Sequence, residues 1–400
     1  MWQVAERMQA IESFYVMEIH REATALQRAG KDVIFICVGE PDFEAAPDLM
    51  NAADAAVRGG KTHYTVALGI PTLRQKIAEF YQHRYGLTIP ASRIAVTAGA
   101  SGAMLLAFGS LVNPGDEWLM PDPTYPCNRR FVSLYGGTTK LIPTGPAQQY
   151  QLTAALVEAN WGPNTRGVML ATPSNPTGTT VSSEEMRKIH AVVRAKGGVL
   201  VVDEIYHGLT YATDPNTDAF IDPASALANG DDLIVINSFS KYFTMTGWRL
   251  GWMVIPESHM PAIERLAQNL FICPSSIAQE ASLACFSAAS LHVFEGRRRE
   301  FNARRDWLIP ALRKLGFIIA VEPEGAFYVY ADISPFISRG FAKNSWSFCM
   351  RLLNEAHVAI SPGKDFGTYR AEEHVRISYT ISVSELARAV ERMATVLEPI

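Results

Sequence analysis

The chain reads as an α/β protein: a large domain with a mostly parallel central sheet covered by helices, followed by a smaller domain. Three observations predict this. Short apolar runs suited to strands buried on both faces recur at residues 93–97, 117–120, 167–171, 198–202 and 233–236, with helix-length segments between them. Directly after these runs stand glycines, hydroxyls, an amide, a carboxylate and a lysine, at the edge where an open parallel sheet places its ligands. Finally, 400 residues with 48% apolar and 19% charged content suffice for a substantial core and two domains.

Composition also excludes several classes. A formal charge of −4 gives no reason to expect nucleic acid as a partner. Arg297, Arg298, Arg299, Arg304 and Arg305 form the one basic cluster, but Glu295, Glu300 and Asp306 interleave it, so it reads as a solvated helix face. Glu6, Arg7, Glu12, Glu18, His20 and Arg21 interrupt the N-terminal stretch, which therefore offers no signal-peptide core. No other run approaches the ~20 apolar residues a bilayer span needs, so a cytoplasmic protein without a membrane partner is expected. Cys37, Cys127, Cys273, Cys285 and Cys349 are scattered without a CxxC pair and the histidines without HExxH, so free thiols and no metal are expected.

Taken in order, residues 1–30 predict a helix, with Ile11, Phe14, Tyr15, Ile19 and Leu26 at roughly helical spacing and Gly30 as a stop. Residues 33–38 predict a short strand. Gly39, which follows, admits close backbone approach to a ligand, although an ordinary turn before Glu40-Pro41 needs the same residue. Tyr64 falls in a loop, where packing of its amphipathic ring is the usual use. Pro71 opens a helix that Gly86 ends.

Gly99, Ala100 and Ser101 form a strand–glycine–helix junction, whose free N–H groups and helix dipole suit a phosphate; small residues there also permit close packing. Tyr125 sits in a proline-rich loop that fixes its ring for stacking or for the core. Pro173 and Pro176 flank Asn175 and fix its backbone, which suits a presented amide or an Asx turn. Asp203, directly after a buried run, is costly unless paired; a helix N-cap is the alternative, and Tyr206 follows three residues later.

Lys241 lies just past the run at 233–236, with Ser238, Ser240 and Arg249 about it. Partial desolvation lowers an ammonium pKa and yields an amine nucleophile toward a carbonyl. Hydroxyls and a guanidinium fork are the groups that hold a phosphate beside it. Residues 256–313 are helical in pattern and lead into the smaller domain, and residues 314–331 read as strands around Glu324–Tyr328. Arg376, on a strand at 375–379, is either a structural ion pair or a carboxylate clamp. The last helix starts at a capping box of Ser382 and Glu385 and buries Leu386, Val390, Met393 and Leu397.

Ser-x-Ser-Lys with an arginine eight residues on resembles the lysine region of the fold-type I pyridoxal-phosphate enzymes, specifically the class I and II aminotransferases. Gly-Glu-Pro-Asp-Phe from Gly39, Tyr-x4-Gly-x-Pro-x-Leu-Arg from Tyr64, Asn-Pro-Thr-Gly from Asn175 and Arg-Ile-Ser from Arg376 resemble further motifs of that family. The resemblance spans residues 30–395. It implies pyridoxal 5'-phosphate as cofactor and ping-pong transfer of an α-amino group from an amino acid to a 2-oxo acid. It also implies an N-terminal arm and part of the small domain at 1–48, a cofactor domain at 49–290, a small domain at 291–400, and a homodimer.

Residue by residue, the resemblance gives Lys241 the Schiff base and the proton transfer, Asp203 the pyridinium N–H, and Asn175 with Tyr206 the phenolic oxygen. Tyr125 would stack on the ring. Gly99, Ala100, Ser101, Ser238, Ser240 and Arg249 would surround the phosphate, with Tyr64 reaching it from the neighbouring subunit. Gly39, Asn175 and Arg376 would orient the substrate carboxylate, and a segment at Glu324–Tyr328 would bring an aromatic near it. Aspartate or a neutral or aromatic amino acid fits this scheme, the former needing a second cation such as Arg129 or Arg130. β-Elimination from a cysteine-like substrate is the alternative reaction.

Overall fold

The computed structural model describes residues 2–6, 8, 11–217 and 219–397. Its strands, in chain order, are β1 (Ile34–Phe35), β2 (Ile94–Thr97), β3 (Glu117–Asp122), β4 (Thr138–Pro143), β5 (Thr165–Ala171), β6 (Val199–Asp203), β7 (Ile234–Ser238), β8 (Gly251–Val254), β9 (Tyr328–Asp332), β10 (Val358–Ala359), β11 (Ser361–Pro362) and β12 (His374–Ser378). A seven-stranded sheet runs in the order β2-β8-β7-β6-β5-β3-β4, and the pairs among β4, β3, β5, β6 and β7 are all parallel. β8 runs antiparallel to both of its neighbours. Residues 239–250 before it hold only a short 3₁₀ turn, so no helix carries the chain back across the sheet, and a direct return must be antiparallel.

The alternation along the central strands divides the core in two. Leu119, Val168, Leu170, Leu200, Val202 and Val235 are buried on one face, and Trp118, Met120, Met169, Val201, Ile234 and Ile236 on the other. Each such side chain contributes about 1.5–3 kcal/mol by leaving water, which explains why these runs are apolar without alternating. The smaller sheet runs β11-β12-β9, antiparallel throughout, and β1 pairs in parallel with β10.

Several expectations are corrected. The first helix is Tyr15–Arg28 rather than residues 1–30; Ile11 is exposed ahead of it, and Met1, Arg7, Gln9 and Ala10 lie outside the described residues. Phe14 offers no side-chain cap. Instead the Asp365 carboxylate accepts the Tyr15 and Val16 N–H groups, each at 2.8 Å, so a residue far along the chain sets where the helix begins. The strand expected at 33–38 shrinks to two residues.

The arginine cluster lies on the long helix Ala288–Lys314, where Arg299 is exposed as expected but two of its members are turned inward. Arg298 is buried against Asp222 (3.0 Å) and the Thr210 carbonyl (2.6 Å), and Arg304 against Asp42 (2.8 Å) and Glu300 (3.0 Å). In the last helix, Val383–Val396, Ser382 accepts the Glu385 N–H, while the Glu385 carboxylate pairs with Arg388 at 2.7 Å and does not complete a capping box. No helix among the described residues is long and apolar enough to cross a membrane.

Candidate active site

The carboxyl ends of the parallel strands open into a cavity of about 460 Å³. Gly39, Ala100, Ser101, Tyr125, Asn175, Asp203, Tyr206, Ser238, Ser240, Lys241, Arg249 and Arg376 all line it. Gly99 is not among the lining residues. Tyr64 does not line it; its side chain projects from a loop with 81% of the residue exposed.

Lys241 follows β7, and its Nζ donates to the Gly39 carbonyl at 2.8 Å, between the rings of Tyr206 and Phe327. Burial, followed by the charge of Arg376, pulls its ammonium down to about 8. The amine is therefore within reach of deprotonation near neutral pH. Asp203 closes β6. One carboxylate oxygen accepts the Ile205 N–H at 3.1 Å, and burial pushes the group up to about 7. Residues 204–208 form turns and not a helix, so the carboxylate is not an N-cap. It stands as a buried acceptor suited to a charged N–H donor.

Arg376, on β12, donates Nη1–H to the Asn175 carbonyl oxygen (2.9 Å), and Nη2–H to the Cys37 carbonyl (2.6 Å) and the Ser361 hydroxyl (3.2 Å). Its Nε–H is buried and has no partner. The guanidinium lines the cavity and is the kind of group that clamps a carboxylate. With its oxygen committed to Arg376, the Asn175 amide keeps its NH₂ group for a ligand. The Tyr206 and Tyr328 hydroxyls share a hydrogen bond of 2.8 Å.

Gly39 is required by close approach, since a Cβ there would stand 1.9 Å from the Tyr328 hydroxyl. Gly39→Ala is accordingly expected to displace Tyr328, lowering turnover at least about tenfold with a stability loss of about 1–3 kcal/mol. Steady-state kinetics alongside thermal melts check this, and unchanged kinetics would count against it.

A second group of donors faces the start of the helix Gly99–Leu111. Gly99 adopts φ +70°, and a Cβ on it would lie 2.6 Å from Arg249 Nη2, so its absence lets the guanidinium pack against the helix N-terminus. Ser238 donates to the Ser240 hydroxyl at 3.0 Å beside it. Helix N–H groups, hydroxyls and a guanidinium together fit a phosphate dianion. With the Asp203 acceptor and the Lys241 amine in the same cavity, the donor set fits pyridoxal phosphate.

Sequence reasoning missed one wall entirely. Phe14, Val16 and Met17 enter the cavity from the first helix, and Asp365 and Phe366 from the loop that holds that helix. Phe14 stacks on Tyr125, with centroids 6.4 Å apart. The same loop is anchored by Asp122, whose carboxylate accepts the Thr368 and Tyr369 N–H groups at 3.0 Å. The helical period of residues 14–17 was visible; the partner that turns them toward the cavity lies some 350 residues away.

A nucleophilic lysine, a buried acceptor, a presented amide and a phosphate cradle at the carboxyl edge of a parallel sheet define a pyridoxal-phosphate enzyme. The family model for aminotransferase class I and II matches residues 31–393, and the chain belongs to that family. It is 38% identical over 385 residues to a valine–pyruvate aminotransferase of Mycobacterium tuberculosis, covering 96% of each chain. An aspartate aminotransferase of Rhizobium meliloti is 33% identical, over 98% of this chain and 96% of that one. Among solved structures, an aminotransferase from Mycobacterium tuberculosis superposes with a TM-score of 0.93 at 37% identity, over 99% of each chain. An aspartate aminotransferase mutant from Thermus thermophilus gives 0.91 at 32% identity, over 99% of this chain and 100% of that one. The protein is thus a pyridoxal-phosphate-dependent aminotransferase that moves an α-amino group from an amino acid to a 2-oxo acid, and these relatives support that reaction over β-elimination.

Proposed function

We propose that transamination runs in this one cavity with the following division of labour. The observation that carries it is that Lys241 and the Arg376 guanidinium line one cavity, because an amino acid needs a base at its α-carbon and a clamp on its carboxylate. When bound, pyridoxal phosphate supplies an electron sink for the charge left at the α-carbon. Ala100, Ser101, Ser238, Ser240 and Arg249 would hold its phosphate, with Gly99 allowing Arg249 its place. Asp203 would accept from the ring nitrogen, Asn175 and Tyr206 would donate to the phenolic oxygen, and Tyr125 would cover the ring. Arg376 grips the substrate carboxylate beside Gly39, and Lys241 Nζ takes the α-proton.

The reading extends to a cytoplasmic homodimer, built from an arm at 1–48, a cofactor domain at 49–290 and a small domain at 291–400. The exposed Tyr64 of each subunit reaches the phosphate of the other. Tyr64→Phe is then expected to weaken cofactor affinity about tenfold or more while the protein stays dimeric, because one charge-assisted hydrogen bond is lost. Cofactor titration with sedimentation velocity checks this; unchanged affinity would remove Tyr64 from the site.

The experiment for the reading as a whole is the absorption spectrum of the purified, cofactor-loaded protein. An amino acid alone should bleach the visible band toward the near ultraviolet, and a 2-oxo acid alone should then restore it. A band that resists every amino acid, or bleaching with release of ammonia and no recovery, would overturn the reading. The relatives' names span valine with pyruvate and aspartate, so the side chain is what this cavity has left to choose.

A further inference from the structure

Two phenols that line the cavity meet at their hydroxyls, and the reading above uses only one of them. The Tyr206 and Tyr328 oxygens lie 2.8 Å apart, and either can be the donor. Tyr206 is 2% exposed and Tyr328 1%, so water does not compete for the bond. Each phenol carries one proton. Burial raises both above the ordinary phenol value, so the pair keeps both protons through the working range. One proton is taken up between the two oxygens, and the other is left to give. Two cations face the pair: Lys241 Nζ lies 5.7 Å from the centre of the Tyr206 ring, and the Arg376 guanidinium 4.5 Å from that of Tyr328. A cation beside a phenol strengthens it as a donor, and the nearer one stands at Tyr328. Glycine at 39 bears on the same oxygen. A Cβ there would lie 1.9 Å from the Tyr328 hydroxyl oxygen and 2.7 Å from the ring carbon that bears it, so the room is kept for the oxygen more than for the ring.

Resting on the reading that Tyr206 donates to the cofactor's phenolic oxygen, we infer that Tyr328 is a positioning residue for that bond: its hydroxyl donates to the Tyr206 oxygen and leaves the single Tyr206 proton for the phenolic oxygen. In the opposite arrangement Tyr328 takes the Tyr206 proton, and two acceptors, the Tyr206 oxygen and the phenolic oxygen, face each other unpaired. Hydrogen bonds in a chain also polarise one another, so a donor behind Tyr206 strengthens the bond in front of it by about 10–30%. Tyr328 is well placed for this, because it opens β9 with its backbone paired to Ser378 and its ring set edge-on to Tyr206, centroids 5.7 Å apart.

The test reads the spectrum of the cofactor-loaded protein with no substrate present. A donor at the phenolic oxygen stabilises negative charge there, which lowers the pH midpoint at which the visible band changes. Tyr328→Phe removes one oxygen and keeps the ring. It should raise that midpoint by about 0.2–0.5 pH unit, the part of a hydrogen bond to a charged acceptor that a donor behind it supplies. Tyr206→Phe should raise it by about one unit or more, and adding Tyr328→Phe to that variant should change nothing further, because the relay has lost its middle member. A midpoint that stays or falls in Tyr328→Phe would overturn the proposal, a fall meaning that Tyr328 had been taking the Tyr206 proton. An equal rise with Tyr206 already replaced would overturn it too, as the mark of a packing effect. Should Tyr206→Phe leave the midpoint unmoved, the reading of Tyr206 falls and takes the relay with it; should only Tyr328→Phe leave it unmoved, the reading stands and the relay alone is lost.

Discussion

Replacing Lys241 with alanine is expected to lower turnover by about 10⁴-fold, the upper range for a positioned proton-transfer group, while the protein still folds and retains part of its cofactor. Retention follows from geometry. The hydroxyls of Ser238 and Ser240, the Arg249 guanidinium and the helix start at Gly99 make their contacts without the lysine. Folding should not suffer either, because the amine is held at about 8 in the folded chain against an ordinary value of 10.5. The folded state therefore binds fewer protons than the unfolded one between those two values. Its stability rises with pH across that window, and below it the buried ammonium costs free energy that alanine does not. Cofactor-free Lys241→Ala should accordingly melt above the unaltered protein at pH 7, with the gap closing toward pH 10.5. Turnover within tenfold of the unaltered enzyme would sink the assignment.

Asp203→Asn is expected to trade activity for stability. With no cofactor bound, burial raises the carboxyl to about 7 from an ordinary 3.8. The folded chain holds its proton more firmly than the unfolded one, so stability is full below pH 3.8, falls as pH rises through the window, and is lowest above pH 7. The amide has no such charge to bury. The cofactor-free variant should thus melt several degrees higher at pH 8 and nearly level at pH 4, while turnover drops about 10²–10³-fold for want of a charged partner at the ring nitrogen. Calorimetry at the two pH values and single-turnover kinetics give the answer together. A variant that melts lower at pH 8 would make Asp203 a structural acceptor for Ile205 and little else.

The sheet was legible because its physics is local. A strand covered on both faces must be apolar along its length, and residues 167–171, 198–202 and 233–236 are; the groups after them had to sit at the carboxyl edge. Lys241, Asp203 and Asn175 could be placed from that rule alone. β8 was not visible, since Gly251-Trp252-Met253-Val254 follows Arg249 without a turn signal, and its direction depends on the absence of a crossover helix. The arginines of Ala288–Lys314 misled because charge spacing on a helix does not reveal whether Asp222 and Asp42 are brought to meet it from elsewhere. The cavity wall from the first helix was hidden for the same reason. Phe14, Val16 and Met17 look like any amphipathic turn until Asp365 fixes where they point.

The parallel pairing of β1 with β10, and the grip of Asp365 on Tyr15, carry a consequence for synthesis. On a ribosome, residues 94–254 emerge with every strand of the large sheet, and with Lys241, well before β10 and Asp365 are made. The nascent protein can assemble its phosphate cradle early, yet the start of the first helix at Tyr15 and the strand β1 must wait for partners translated last. Cofactor capture by stalled chains of increasing length should therefore begin before the substrate clamp exists, and discrimination among amino acids should appear only once Arg376 has cleared the exit tunnel.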